Sequence, residues 1–354
     1  MRRYLVFAPG HFETDAKTAH GVIRYSPDRT VAVVDPALAG KTVRAVLPYL
    51  ESEAPIVANV REGLRYDPTA LLIGTAPQGG RLPIQWRREI LTAIEAGLEI
   101  VSGLHDMLAL DPEFAAAAAK RGARMWDVRA TTELTLFSGA AYAVAAPVLL
   151  TVGSDCAVGK MTVSLELARA ARDRGARPAF VPTGQTGIMI AGWGTAIDRV
   201  IADFASGAVE QLILHAAQDA PDCIIVEGQG GINHPAYAAV TLALLYGAAP
   251  DALLLVAQPG RERIDGYGTP ILGYRELVET YEALCAAVKV AKVAGIALNT
   301  AGLSAERARA EIARARAETG LPADDVVRFG PHALYDEIAP KLTKRRPLAA
   351  EVPA

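Results

Sequence analysis

The sequence predicts an α/β protein with an N-terminal Rossmann-like domain followed by a parallel α/β domain of the P-loop NTPase type. Short apolar runs alternate with longer helical patterns along the whole chain, which is typical of parallel sheets. The length of 354 residues suits about two domains. A loop containing glycine and lysine follows one strand of the second half, which favours a P-loop there.

The first domain is predicted to span residues 1–135. Its helical patterns end at glycine or proline, as expected of helix stops, and cover residues 41–50, 84–97 and 111–122. Six apolar runs predict its strands, at residues 4–8, 31–35, 55–60, 70–75, 99–104 and 124–128.

The second domain is predicted to span residues 136–354 and carries the glycine and lysine loop. The segment after that loop, residues 161–175, shows an apolar helix face and ends at a glycine. Six further strands are predicted, at residues 148–153, 178–183, 223–228, 252–257, 295–300 and 326–330.

Composition excludes several classes of function. A net charge of -3 leaves no basic field for sequence-independent nucleic-acid binding. Three widely spaced cysteines fit free thiols in the reducing cytoplasm. The first apolar stretch is too short for a signal peptide, and the uncharged segment 134–154 is broken by Gly and Pro. We therefore expect a cytoplasmic protein with a small-molecule substrate and no membrane or nucleic-acid partner, and a homo-oligomer from base rates.

The sequence GSDCAVGKMT, residues 153–162, predicts an anion-binding loop. Five residues separate its two glycines, one more than in the standard P-loop. Backbone N–H groups at the start of the following helix, with the Lys160 ammonium, suit a pyrophosphate. The alternative is a plain glycine-rich turn. The predicted cofactor-binding residues here are Gly153, Ser154, Asp155, Cys156, Ala157, Val158, Gly159, Lys160, Met161 and Thr162.

This loop and the later Glu-Gly-Gln-Gly-Gly sequence, residues 227–231, resemble dethiobiotin synthetase. In that family a hydroxyl residue follows the lysine and helps to hold magnesium, whereas this chain has Met161, whose thioether is a poor ligand for a hard cation. Thr162 points about 100° further around the helix. We therefore predict a phosphate site without a metal. The alternative is an ATP- and magnesium-dependent enzyme that activates a carboxylate or carbamate, with Glu227 and Thr162 or Asp155 as metal ligands.

Seven motifs are spread over nearly the whole chain: KTAHGVIRY, SGLHDML, GSDCAVGKMT, PTGQTGIMIAGWGTAIDRVIADF, VEGQGGINHP, QPGRERI and GIALNT. Together they resemble the DgcN-type D-glutamate N-acetyltransferase family, formerly known only as a domain of unknown function. The resemblance implies a Rossmann-like domain followed by a P-loop domain, and transfer of acetyl from acetyl-CoA to the amine of an acidic D-amino acid such as D-glutamate.

Acetyl transfer by direct amine attack needs a general base, and two residues are candidates. Glu227 ends a strand at the edge where parallel α/β sheets bind ligands; the alternative is a structural carboxylate or a metal ligand. His234 follows seven residues later and titrates near neutrality; the alternative is a loop histidine bonded to backbone. Cys156 has electropositive neighbours that predict a lowered pKa, and an acetyl-cysteine is a less simple route.

Other polar residues are candidates for substrate and coenzyme contacts. Hydroxyl and amide side chains follow the strand 178–183, and arginines suit a substrate with two carboxylates, although surface arginines often have no ligand. The predicted substrate residues are Thr183, Gln185, Thr186, Arg261, Arg263 and Arg24. Asn299 ends a strand where P-loop relatives contact adenine, so it is predicted to contact the adenine of acetyl-CoA.

Overall fold

The computed structural model describes residues 2–75, 80–130 and 135–343. It divides into two compact units, Met1–Thr131 with Gln185–Ala196, and Thr132–Gly184 with Ile197–Ala354. Residues 131–134, beside the predicted domain boundary, lie outside the described residues. The sequence predicted one division at residue 135. It did not predict that residues 185–196 belong to the first unit.

The first unit contains a six-stranded parallel sheet in the order β3-β2-β1-β4-β5-β6. This is the strand order of the Rossmann fold, so the prediction for this half is confirmed. The strands are β1 (Tyr4–Phe7), β2 (Thr30–Val34), β3 (Ile56–Val57), β4 (Ala70–Ile73), β5 (Glu99–Ser102) and β6 (Met125–Asp127). The helices are α1 (Lys17–Tyr25), α2 (Val43–Val46), α3 (Val60–Gly63), α4 (Arg87–Glu95) and α5 (Pro112–Arg121).

The second half of the chain forms another six-stranded parallel sheet, in the order β12-β11-β10-β7-β9-β8, as predicted for a P-loop domain. The strands are β7 (Val148–Gly153), β8 (Pro178–Val181), β9 (Cys223–Val226), β10 (Ala252–Ala257), β11 (Lys292–Leu298) and β12 (Ala323–Asp324). The helices are α6 (Lys160–Asp173), α7 (Gln185–Ala191), α8 (Ala202–Ala217), α9 (Ala238–Gly247), α10 (Tyr274–Ala286), α11 (Ala305–Thr319) and α12 (His332–Ile338).

Short 3₁₀ helices complete the connections. They are Pro27–Arg29, Pro36–Leu38, Pro48–Leu50, Leu64–Tyr66, Ile84–Trp86, Leu108–Leu110, Ala140–Ala143, Ile197–Arg199 and Ala339–Lys341. Helix α7 belongs to the first unit and packs against α1, where the hydroxyl oxygens of Thr18 and Thr186 lie 2.9 Å apart. No helix in the described ranges is both long and apolar enough to cross a bilayer.

Two predicted elements are wrong in extent. The last predicted strand, 326–330, is not extended, because the Asp325 carboxylate accepts the N–H groups of Val327 and Arg328 and closes a turn. The preceding pair Ala323–Asp324 forms the edge strand instead. The helix predicted over 41–50 is only one turn, Val43–Val46, since Pro48 cannot continue a helical hydrogen-bond ladder.

The segment that leads into β7 is fastened to α8 by backbone and carboxylate contacts. The buried Glu210 carboxylate accepts hydrogen bonds from Ser138 N–H (2.7 Å), the Ser138 hydroxyl (2.8 Å) and Ala141 N–H (3.1 Å). One turn earlier, the helix comes so close that a Cβ on Gly207 would lie 1.8 Å from the Thr135 carbonyl oxygen. Glycine is therefore required at this point of α8.

We expect Gly207→Ala to destabilise the protein by about 1–3 kcal/mol, because the added methyl group overlaps backbone that has little room to move. Gly302→Ala is the matched control, since no described atom lies within 4 Å of the position of its Cβ. Urea unfolding of both variants tests this. Equal stability of the two variants would contradict the close approach.

Candidate active site

The glycine loop, residues 153–160, connects the buried strand β7 to helix α6 as the sequence predicts. Gly159 has φ of 107° and Ala157 has φ of 55°, so the chain turns sharply into the helix. A Cβ on Gly153 would lie 2.6 Å from Lys160 Nζ, so a larger residue there would force the lysine side chain to move. The loop thus wraps closely around its own lysine.

Lys160 joins the glycine loop to the loop after β9. Its ammonium is buried and donates to the carbonyl oxygens of Asp155 (2.7 Å) and Gly230 (2.6 Å). Burial lowers the pKa of Lys160 to about 8, and the nearby Cys156, Asp155 and Glu227 oppose that shift. The ammonium is therefore held by dipoles and neighbouring acidic groups instead of water.

Glu227 lies directly after β9 and is 6% exposed. Its Oε2 accepts the N–H groups of Thr183 (3.0 Å) and Gly184 (3.2 Å). Its Oε1 has no hydrogen-bond partner among the residues that the structure describes. Burial raises the pKa of Glu227 to about 7, although the two N–H donors and Lys160 favour the ionised form. A carboxylate with one fixed and one free oxygen, titrating near neutrality, has the properties of a general base.

Two further contacts fix the backbone of Glu227. The Thr183 hydroxyl donates to the Glu227 carbonyl oxygen at 2.7 Å, and Gly228 N–H donates to the Thr151 hydroxyl at 2.9 Å. A Cβ on Gly228 would lie 1.7 Å from the Thr151 carbonyl oxygen, so the Glu-Gly sequence is needed for this contact between β7 and β9. Thr183 holds Glu227 in place, and its predicted contact with substrate stays a prediction.

The fully buried Asp155 and the partly buried Arg261 connect the glycine loop to the loop after β10. Asp155 Oδ2 receives Arg261 Nη1 (3.0 Å) and Asp265 N–H (3.0 Å), and its Oδ1 receives Cys156 N–H (2.6 Å). Arg261 also donates to the Cys156 carbonyl oxygen and to Gln258. These bonds position the two loops, and the predicted contact of Arg261 with substrate stays a prediction.

His234 lies beside Asp155, but its geometry does not suit a base. Its Nδ1 accepts the Ala236 N–H at 3.1 Å, which places the ring proton on Nε2 in the neutral tautomer. Nε2 lies 3.9 Å from Asp155 Oδ1, and the ring packs against Tyr237 and Tyr267. Neither ring nitrogen then offers a free lone pair, so the predicted catalytic role of His234 has no support in this geometry.

Asp155, Cys156 and His234 place one donor atom each within 4.8 Å of one another, which raises the question of a metal. A metal-binding histidine normally donates from its other ring nitrogen, whereas Nδ1 of His234 accepts a hydrogen bond. Arg261 already occupies one oxygen of Asp155. Burial raises the pKa of the Cys156 thiol, so the lowered value predicted from its charged neighbours is wrong. The arrangement of these three side chains does not favour a metal ion, and a magnesium site at Glu227 with Thr162 or Asp155 stays untested.

The remaining candidates lie in different places. Asn299 follows β11 and comes near the glycine loop, since a Cβ on Gly159 would lie 3.9 Å from Asn299 Nδ2. The exposed Arg263 donates to the Gly268 carbonyl oxygen at 2.5 Å. Gln185, Thr186 and Arg24 belong to the first unit, where Arg24 lies over the Tyr25 ring. Ser154, Val158, Met161 and Thr162 complete the predicted set within or just after the glycine loop. The ligand contacts of all these residues stay predictions.

Sequence reasoning missed Tyr281, on α10. Its buried hydroxyl donates to the Gly153 carbonyl oxygen at 2.7 Å and accepts Ile232 N–H at 3.1 Å. One side chain therefore ties the start of the glycine loop to the loop after β9. In the sequence it is an ordinary apolar-face position of a helix, 128 residues from its partner, and no local signal marks its role.

Comparisons with known proteins agree over both halves of the chain. Family models described as the P-loop domain and the Rossmann-like domain of DUF1611, a domain of unknown function, match residues 135–335 and 36–131. A D-glutamate N-acetyltransferase of Tritonibacter scottomollicae is 35% identical over 92% of this chain and 94% of its own. A D-glutamate N-acetyltransferase of a Pseudoalteromonas species is 38% identical over 77% of this chain and 82% of its own. The crystal structure of a DUF1611 family protein from Anabaena variabilis has a TM-score of 0.91 and 40% identity, covering 96% of this chain and all of the other.

We expect Tyr281→Phe to destabilise the protein by about 1–3 kcal/mol, because it removes the hydroxyl that bonds to the buried Gly153 carbonyl and to the partly buried Ile232 N–H. Tyr274→Phe, seven residues earlier on α10 and less deeply buried, is the control. Urea unfolding compares the two. A cost for Tyr281→Phe no larger than that of Tyr274→Phe would show that the bridge does not hold the loops.

Glu227→Gln should stabilise the protein in a pH-dependent way. Because the folded pKa is raised above the ordinary value of 4.5 to about 7, wild-type stability falls as pH rises through this window. Glutamine keeps an acceptor for the two N–H groups and carries no charge. The gain in unfolding free energy over wild type should therefore be larger at about pH 8 than at about pH 5. A gain that is the same at both values would refute the raised pKa.

Proposed function

The chain belongs to the DUF1611 family and is an enzyme of the acyltransferase class, and we propose that it transfers an acetyl group from acetyl-CoA to the amine of an acidic D-amino acid. D-glutamate is the first candidate, because the two curated relatives bear that substrate in their names. The observation that carries the proposal is the buried carboxylate of Glu227, with a pKa raised to about 7, beside the cationic Lys160.

In the proposed reaction, Glu227 Oε1 accepts a proton from the substrate amine. The nitrogen attacks the thioester carbonyl carbon as it loses this proton. The C–S bond of the tetrahedral intermediate then breaks, and the proton passes from Glu227 to the departing sulfur, so that CoA leaves as the thiol and the carboxylate is restored. Thr183 and Gly184 hold Oε2 through their N–H groups, so Oε1 is the oxygen left to move the proton. No step of this sequence needs a metal ion or ATP, which agrees with Met161 at the position where dethiobiotin synthetase has a hydroxyl ligand.

The electrostatics support anionic substrates. Lys160 and the N-terminus of the fourteen-residue helix α6 create a positive potential at the carboxyl end of β7. Acidic amino acids and the phosphates of CoA are both attracted to such a site. Three free cysteines fit a cytoplasmic reaction, which we include in the proposal.

The direct test is release of free CoA thiol when the purified protein is mixed with acetyl-CoA and D-glutamate. We expect steady turnover with D-glutamate, slower turnover with L-glutamate, and N-acetylglutamate as the product by mass spectrometry. Phosphate release from ATP with magnesium and a carboxylate substrate, without any acetyl transfer, would overturn the proposal in favour of the alternative enzyme class.

Glu227→Gln should lower kcat by about 10²–10⁴-fold, the range for loss of a general base. Because the base must be deprotonated, kcat/KM of the wild type should rise with pH through about 7, and this rise should be absent in the variant. Glu210→Gln, the same substitution at another buried glutamate of the second unit, is the control and should keep full activity. Equal activity of the two variants would exclude Glu227 as the base.

A further inference from the structure

We infer that the glycine loop and Lys160 bind a carboxylate of the amino-acid substrate, and that the diphosphate of the acetyl donor binds elsewhere. This inference rests on the proposed function and names the ligand of its anion site. It differs from the expectation that the sequence raises, in which the loop holds the phosphates of CoA. Three features of the second unit carry it: the closeness of Lys160 to Glu227, the free oxygen of Glu227, and the charge of the loop.

Lys160 and Glu227 occupy one small region. The Lys160 ammonium bonds to Gly230, three residues after Glu227, and a Cβ on Gly228 would lie 3.1 Å from Lys160 Cδ. The two charges are close enough for each to shift the pKa of the other. We therefore place an anion bound by Lys160 in the same region as Glu227.

Covalent distances then separate the two substrates. In an amino acid the amine and the α-carboxylate share one carbon atom, so nitrogen and oxygen are about 3 Å apart. The pantetheine arm of CoA, with two amide groups, is comparable to about four residues and spans roughly 15 Å when extended. An amine at Glu227 Oε1 thus brings its own carboxylate towards Lys160, whereas a diphosphate at Lys160 requires the pantetheine arm to fold back before its thioester reaches Glu227.

The charge of the loop also matches a carboxylate. Arg261 is paired with Asp155 at 3.0 Å, so these two charges offset each other. Lys160 remains as one cation, assisted by the partial charge of the α6 N-terminus. P-loop enzymes that bind diphosphates add a metal ion held by a hydroxyl residue, and this chain has Met161 there. One cation suits a carboxylate better than a diphosphate.

The kinetic test compares wild type with Lys160→Met, which keeps the length of the side chain and removes its charge. We expect KM for D-glutamate to rise about 10- to 100-fold, the loss of a hydrogen bond to a charged group, and KM for acetyl-CoA to stay within a factor of two or so. The rise should be the same with S-acetyl-pantetheine, which lacks the diphosphate. A rise in KM for acetyl-CoA alone, absent with S-acetyl-pantetheine, would overturn the inference.

A second measurement uses the wild-type protein and does not depend on turnover. Cys156 lies in the glycine loop and is partly exposed, whereas Cys223 and Cys285 are buried, so iodoacetamide should modify Cys156 first. We expect glutarate, a dicarboxylate without an amine, to slow this modification at least tenfold, and 3′,5′-ADP to leave its rate unchanged. Protection by 3′,5′-ADP, with or without protection by glutarate, would overturn the inference.

Cys156→Ala is the control for the site of modification. The two experiments also separate the inference from the proposed function. If acetyl transfer to D-glutamate is absent but glutarate protects Cys156, the proposed activity fails and the carboxylate site stands. If acetyl transfer occurs and 3′,5′-ADP protects Cys156, the activity stands and the carboxylate site fails.

Discussion

The hydrogen bonds of the buried Lys160 ammonium are the interaction on which the second unit of this protein depends. It bonds to carbonyl oxygens in two loops, at Asp155 and Gly230, that follow the neighbouring strands β7 and β9. A side chain at Gly153 would displace this ammonium from its position. Tyr281 reinforces the same connection from α10. The carboxyl ends of β7 and β9 are thereby held together, and Glu227, directly after β9, bonds to Gly184 N–H.

Burial acts in opposite directions on the two ionisable groups of this region. It raises the pKa of Glu227 to about 7 and lowers that of Lys160 to about 8, because low polarity disfavours both charged forms. The pKa of each group is thus brought close to neutral pH, where proton transfer is most effective. Such placement costs stability when the carboxylate is ionised. Such a cost is typical of functional sites, where residues with shifted pKa values cluster.

Much of this arrangement is readable from local sequence. Apolar runs predicted both parallel sheets, and the spacing from Gly153 to Lys160 predicted the loop between β7 and α6. Glu227 stood out because it ends a strand before glycine. The contacts that sequence could not predict join residues far apart in the chain: Tyr281 to Gly153, and Arg261 to Asp155. No local pattern encodes such pairs, since they arise only when loops from several strands meet at one sheet edge.

The most direct measurement is a crystal structure of the protein with D-glutamate and CoA bound together. We expect the amine nitrogen within hydrogen-bonding distance of Glu227 Oε1, a carboxylate on Lys160 Nζ, and the CoA sulfur beside the amine. A diphosphate seated on residues 153–160, or an amine remote from Glu227, would contradict it.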